Sequence, residues 1–144
     1  IVVTRKTGLR VTRFKLYVNG ELLNSYEADG VIIATPTGST AYNLSAGGPI
    51  VEPTAELVVI TPICSHALNT SSIILSADDE IVIEIGEARI GNEQEVLLSF
   101  DGADTVTLKT GDRVTVKKAS TVTKLIKLNS ISFLEMLRRK MKGN

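Results

Sequence analysis

Four hydroxyls, one proline and one glycine fall in six consecutive positions, Thr35-Pro36-Thr37-Gly38-Ser39-Thr40. Side chains this small let a ligand come close to the backbone, and Gly38 can take a positive φ without strain. The chemistry that suits such a loop is recognition of an oxygen-rich guest: a phosphate, or a ribose and amide framework. Just upstream, residues 31–34 (Val-Ile-Ile-Ala) form an apolar run of the kind that makes a strand buried on both faces. Just downstream, residues 41–46 can make a short helix that Gly47-Gly48-Pro49 stops. Strand, polar loop and helix start together predict backbone N–H groups and hydroxyls converging on one spot.

The loop is not a nucleotide P-loop, because no lysine follows its glycine to reach a β- or γ-phosphate. Its spacing also differs from the glycine fingerprint that binds dinucleotides in a βαβ unit. On composition alone, an ordinary polar connection between a strand and a helix is an equally good reading.

Positioning such a loop needs a rigid frame, and the flanking patterns predict one made of strands. Residues 11–18 alternate, with Phe14, Leu16 and Val18 on one face and Arg13, Lys15 and Tyr17 on the other. Asn19-Gly20 is a strong hairpin signal because both residues tolerate positive φ, and residues 21–28 return as the partner strand, delivering Asp29 to the central motif. Further strands are expected at 57–63, 73–75 and 81–85. Residues 95–100 and 105–108 flank a hairpin corner at Asp101-Gly102, with more strands at 113–117 and 122–128. Only residues 132–141 read as a longer helix, with Leu134, Leu137 and Met141 at helical spacing. The fold class expected is mainly β: a two-layer β-sandwich with a short helix after the central loop and a C-terminal helix.

With 144 residues the chain is read as one domain, 1–144, long enough to bury a real core. Hydrophobic residues make up 43% and charged residues 22%, which excludes a disordered class. No apolar run approaches the roughly 20 residues of a membrane helix, so no membrane partner is expected. Net charge is zero, yet residues 28–108 hold twelve acids and one base, Arg89. An acidic middle without a basic stripe or aromatic platforms argues against nucleic acid as partner. A single cysteine excludes an internal disulfide and fits a reducing cytoplasm. Cys64 is expected to pack in an apolar setting, and His66, the one histidine, to be a hydrogen-bonded structural residue near a turn.

The string itself is more specific than its composition. Asp29-Gly30, then Thr35 to Tyr42, then Ser45-Ala46-Gly47-Gly48-Pro49 closely resembles the signature of NAD kinases, and Thr61-Pro62-Ile63-Cys64-Ser65-His66 resembles that family's next segment. In weaker form the resemblance extends along nearly the whole chain. It implies the C-terminal, NAD-binding β-sandwich domain of an enzyme that moves the ATP γ-phosphoryl group to the adenosine 2′-hydroxyl of NAD, giving NADP. The family pairs this domain with an N-terminal α/β domain and has its active site between the two.

Residue by residue, the resemblance assigns Asp29 to the nicotinamide amide, often across a subunit interface; a carboxylate accepts well from an amide NH₂. Thr40, Ala41, Tyr42, Asn43 and Ser45 match the segment lining the NAD site. Thr37, Gly38 and Ser39, with Thr35, would shape the loop and lie along the ATP phosphates. Taken singly, Thr40 could instead be a helix N-cap and Tyr42 a core residue. Asp101 matches a family turn near the pocket. Departures fall at Ala103 in place of a usual Gln, Glu27 in place of an Arg, and Thr70-Ser71-Ser72 in place of an Arg-Pro pair.

No catalytic residue is assigned. The family's Gly-Gly-Asp-Gly motif, with its general-base Asp, and the Asn-acid pair that holds the ribose have no counterpart among these residues. The expectation is therefore a chain cut from something longer and inactive alone. The complete enzyme would use NAD, ATP and a divalent metal, Mg²⁺, held by the nucleotide phosphates and not by a protein metal site. A homodimer or homotetramer in the cytoplasm is implied. Two other readings stand beside it: a lipid-kinase relative, similar in fold and sharing part of the loop, and a non-catalytic dinucleotide-binding or assembly module. Asp29 and the Thr-Ala-Tyr segment favour a dinucleotide over a lipid.

Overall fold

Glu21–Ala28 and Gly30–Ala34 are consecutive strands in different sheets, and Asp29 is the single residue between them. The computed structural model describes residues 1–6, 11–65, 71–87 and 92–142. Among these, ten strands are present: β1 Val2–Arg5, β2 Thr12–Val18, β3 Glu21–Ala28, β4 Gly30–Ala34 and β5 Leu57–Ile63, then β6 Ile73–Ser76, β7 Ile81–Ile85, β8 Glu95–Phe100, β9 Asp104–Lys109 and β10 Arg113–Val116. A 3₁₀ turn, Thr37–Thr40, leads into the short helix α1, Tyr42–Ser45, and a longer helix α2, Phe133–Met141, follows the last strand.

One sheet has the order β6-β5-β4-β1-β8-β9 and the other β10-β7-β2-β3, with all pairings antiparallel. This is the expected mainly-β, two-layer sandwich. Alternation does the sorting, because successive side chains of a strand point to opposite faces. Phe14 and Leu16 of β2 and Ile81, Ile83 and Ile85 of β7 turn inward from one sheet. They meet Val3, Val31, Ile33, Ile60, Val96 and Leu98 of the other in one core.

β4 is buried at every position. Val31 and Ile33 face the sandwich core, while Ile32 and Ala34 face outward under a second cluster that contains Val51 and Ala55 from the stretch after α1. The expectation of a strand covered on both faces therefore holds, with the second cover supplied by residues 46–57.

The hairpins form where turn chemistry predicts. Asn19 and Gly20 have φ of 51° and 84°, and Asp101 and Gly102 have 45° and 73°. At Gly30 a Cβ would collide with the Val3 carbonyl oxygen, so glycine is what lets β1 lie against the start of β4. The uneven charge along the sequence is closed in space. Arg5 pairs with Asp29, Arg13 with Glu27, Lys6 and Lys109 with Glu95, Lys15 and Arg113 with Glu84, and Lys118 with Asp78.

Two expectations fail. Residues 122–128 are not a strand: after edge strand β10 they pair with no strand among the described residues. Val122, Leu125, Ile126 and Leu128 are 77–93% exposed. Cys64 is not a packing residue; it is exposed, with φ of 47°, in the turn that ends β5. His66 and Thr70 lie outside the described residues, as does Arg89.

α2 behaves as expected of a solvated helix. Ser132 caps it, accepting from the Glu135 N–H at 3.1 Å. Glu135 in turn pairs with Arg139 one turn on, and basic residues fill the last turn, where the helix dipole favours them. None of its side chains is buried.

Candidate functional site

The loop after β4 is held by one buried amide. Asn43 is 1% exposed. Its Nδ2 donates to the carbonyls of Ser39 and Pro49, each at 3.1 Å. Its Oδ1 accepts from Thr61 Oγ1 on β5 at 2.6 Å. Its backbone carbonyl accepts from the Gly48 N–H at 2.8 Å. A Cβ at Gly48 would run into the Asn43 amide, so the glycine pair that stops α1 also makes room for the side chain that anchors it. Thr61 Oγ1 is bonded in turn to Ser72 Oγ at 2.8 Å.

Ser39 forms the second anchor. Fully buried, it donates to Pro36 O at 2.6 Å and accepts from the Val51 N–H at 3.0 Å. The hydroxyls of Thr35 and Thr40, though on exposed residues, also bond the loop's own backbone. Thr35 Oγ1 accepts from the Gly38 N–H at 3.2 Å, and Thr40 Oγ1 donates to Thr37 O at 3.4 Å. The N–H groups of Ser39 and Ala41 bond to Pro36 O and Gly38 O. The expected convergence of free hydroxyls and N–H groups is therefore not what forms. Short hydroxylated side chains bond their own backbone, and here they shape the 3₁₀ turn. Ala41 is the N-cap of α1 and has no side-chain cap bond, so Thr40 does not cap the helix.

What the scaffold presents is the outer side of the loop. A groove of about 1070 Å³ runs between it and residues 116–122, floored by β1 and β4. That is large enough for a dinucleotide, since sites for small ligands occupy roughly 300–1,000 Å³. Thr35, Gly38, Ala41 and Tyr42 line it, with Asn43 behind them, and Asp101 and Gly102 close one end. Tyr42 is 49% exposed, which excludes the core reading and leaves its ring free to stack on a planar guest. Lys117 and Lys118 also line the groove, together with the acids Glu56, Asp79 and Asp101, and Lys118 is paired with Asp78.

Of the residues singled out in the sequence, the structure brings Gly38, Ala41, Tyr42 and Asn43 together at this groove. Thr37, Thr40 and Ser45 are exposed beside it and do not line it, and Ser39 is buried beneath it. Asp29 is placed apart. Asn43 is bonded to Thr61, which pairs with Ile32. Asp29 lies three residues along β4 from Ile32, a strand distance of about 10 Å.

Sequence reasoning gave Thr61 and Gly48 only as motif positions and did not single out Arg5, although one signal was present: an asparagine needs partners once buried. Of the described groups with a shifted pKa, the Ile1 α-amino group lines the groove and is lowered chiefly by burial, whereas two carboxyls lie elsewhere. Glu84 is lowered by its hydrogen bond from Arg113, and Glu95 by its hydrogen bond from Lys6. Among the described residues no three His, Cys, Asp or Glu side chains come together in a way that could hold a metal ion.

Residues 1–128 match the ATP-NAD kinase C-terminal domain family. The NAD kinase of Agathobacter rectalis is 51% identical over 144 residues, covering 100% of this chain and 50% of that protein. The NAD kinase of Lachnospira eligens is 47% identical over 150 residues, covering 98% of this chain and 51% of that protein. The chain thus spans about half the length of the curated relatives it matches. Among solved structures, yeast NADH kinase complexed with NADH superposes with a TM-score of 0.73 at 40% identity, over 81% of this chain and 32% of that one. An NAD kinase from Archaeoglobus fulgidus in complex with ATP also gives 0.73, at 28% identity, over 83% and 44%.

Proposed function

Because the chain belongs to the ATP-NAD kinase C-terminal domain family, we propose that it is the NAD-binding and assembly half of an NAD kinase, which transfers the ATP γ-phosphoryl group to the 2′-hydroxyl of NAD. The observation that carries this reading is the groove against the Asn43-anchored loop, with Tyr42 half-exposed on its wall. The relatives with NADH and with ATP in their structures support the same two nucleotides as guests.

In this reading Ala41 and Tyr42 contact the dinucleotide directly, and Thr40 and Ser45 border it. Asn43 and Ser39 hold those residues in place. Thr37 and Gly38 lie along the phosphates, with Lys117 supplying charge from the facing wall. Phosphoryl transfer depends on positioning and charge neutralisation. The family's Gly-Gly-Asp-Gly motif, which carries its general base, has no counterpart among these residues, so the 144 residues alone are inactive. The divalent metal travels with the nucleotide phosphates.

Asp29 does not line the groove of its own chain, so its carboxylate meets a dinucleotide bound by a second copy. That requires a homodimer or homotetramer. We place the enzyme in the cytoplasm, in keeping with its single cysteine; no described helix is long and apolar enough to cross a membrane.

Calorimetric titration of NAD into the chain tests the reading. Saturable binding that Tyr42→Ala and Asp29→Ala each weaken is expected. A chain that stays folded and takes up no NAD would refute it, and NADP formation by the purified chain with ATP would refute its inactivity.

A further inference from the structure

Arg5 meets Asp29 at two points. Its backbone N–H donates to the Asp29 carbonyl at 3.0 Å, continuing the β1–β4 register one step beyond Thr4 and Gly30. Its Nη1 lies 3.0 Å from Asp29 Oδ1. From the other side, the Asp29 N–H donates to Ile63 O at 2.9 Å. The backbone of this corner residue is thereby fixed on both flanks, and one carboxylate oxygen is taken. The second oxygen, Oδ2, accepts no hydrogen bond from any described residue. Gly30 makes the arrangement possible, because any side chain there would push β1 away at the Val3 carbonyl and carry Arg5 out of reach.

An ion pair with side chains 32% and 25% exposed is a weak device for stability. It is a good device for orientation. A lone carboxylate at a corner rotates about two bonds, whereas one held through Oδ1 by a guanidinium offers Oδ2 in a fixed direction.

We infer that Arg5 is a positioning residue for the dinucleotide site, holding Asp29 so that Oδ2 accepts from the carboxamide NH₂ of the nicotinamide. The inference rests on the reading of Asp29 given above, and it adds the residue that makes the contact selective. A ligand with a carboxylate in place of the carboxamide has no N–H to give, so it does not use this acceptor and gains nothing from its orientation.

The test is calorimetry on the 144-residue chain with two ligands, NAD and the dinucleotide bearing a nicotinate carboxylate. It compares the parent with Arg5→Met, Arg5→Lys, Asp29→Ala and Asp29→Ala/Arg5→Met, and circular dichroism melting checks that each is folded. Arg5→Met is expected to weaken NAD binding about five- to ten-fold, the net value of one ordinary hydrogen bond, since Asp29 stays in place and loses only its orientation, and to leave the carboxylate ligand unchanged. Arg5→Lys restores NAD to within about two-fold, since an ammonium still holds one oxygen. In the Asp29→Ala background Arg5→Met adds nothing further, as expected of one coupled pair.

Equal weakening of both ligands by Arg5→Met, or an effect that persists without Asp29, overturns the inference. If Asp29→Ala weakens NAD and Arg5→Met does not, only the role of Arg5 falls. If Asp29→Ala changes nothing, or the parent binds no NAD, the reading of Asp29 falls first and this inference with it. Should Arg5→Met fail to fold, Arg5→Gln keeps a donor and most of the length, and its effect on the ratio of the two affinities decides the matter.

Discussion

Thr61 Oγ1 donates to Asn43 Oδ1 across 2.6 Å, joining the helix after the loop to the middle of β5 with both residues buried. That single bond ties a segment with little regular structure to the most rigid part of the sandwich. Together with the Ser39 anchor, it positions what the loop shows to the groove, Ala41 and Tyr42 included. A site on a loop needs this kind of support, because the loop has few other contacts that specify its path.

Replacing Asn43 by Ala removes three side-chain bonds and leaves Thr61 and two carbonyls to be satisfied again. A loss of about 2–3 kcal/mol is expected, since each buried group left unpaired costs roughly 1–3 kcal/mol and water reaches some of them once the loop opens. Thr61→Val should cost about 1–2 kcal/mol on the same grounds. Because the two share one bond, the double variant should cost less than the sum of the singles. Urea unfolding of the four proteins checks this, and strict additivity would show that the bond does not couple loop to sheet.

Gly48→Ala should behave unlike Gly47→Ala, although the two positions are adjacent. At Gly47 the φ of 83° alone is the obstacle, and there is open space around it. A side chain in that conformation costs about 1–2 kcal/mol. At Gly48 the methyl meets the Asn43 amide, which cannot shift without breaking its bonds. The expected signature is coupling: Gly48→Ala is strongly destabilising in the parent and nearly neutral once Asn43 is Ala. Gly47→Ala costs the same in both backgrounds.

These residues also mark where the sequence was legible. Local chemistry was readable wherever it acts over a few positions: the alternation of Phe14 and Leu16 or of Ile81, Ile83 and Ile85, and the turn residues Asn19-Gly20 and Asp101-Gly102. Long-range pairing was not. Nothing in residues 2–5 says that they lie between β4 and β8, and so nothing says that Arg5 reaches Asp29. The polar loop was rightly located but misread in detail, because composition cannot distinguish a hydroxyl offered to a ligand from one that caps a neighbouring N–H. Residues 122–128 failed for the complementary reason. β-forming side chains promise a strand only if a partner is within reach, and that is decided by the sheet and not by the segment.

Those same residues give a prediction about stability. With Val122, Leu125, Ile126 and Leu128 exposed by 77–93% and no residue of α2 buried, residues 120–142 contribute almost nothing to the core. Deleting them should change unfolding free energy by less than about 0.5 kcal/mol, as surface changes usually do. Solubility should rise, since a contiguous apolar stretch is removed. Guanidinium unfolding with light scattering reads both. A midpoint that drops sharply would show that this stretch covers part of the sandwich.

The charged pairs on the sheet faces set the response to acid. Glu84 sits opposite both Lys15 and Arg113 in the strand register, with Arg113 Nε donating to Oε2 at 2.8 Å. These partners favour the carboxylate, the Arg113 bond most of all, so the folded protein holds Glu84 below the ordinary glutamate value of 4.5. Lys6 does the same for Glu95, again chiefly through a hydrogen bond. A group whose folded pKa is depressed adds stability above its unfolded pKa, and that stability is lost as pH falls through the folded value. Unfolding free energy should therefore be flat from neutral pH to about 5 and decline below about 4.5. Glu84→Gln should be less stable than the parent at pH 7, by no more than about 1 kcal/mol because the partner side chains stand largely in solvent. The two curves should converge once pH falls below the folded pKa of Glu84, where the parent's carboxyl is protonated as well. Salt at 1 M should narrow the gap at pH 7, since it shortens the screening length to about 3 Å. A gap that does not narrow as pH falls from 7 into the acid range would mean that Glu84 contributes through packing and not through its charge.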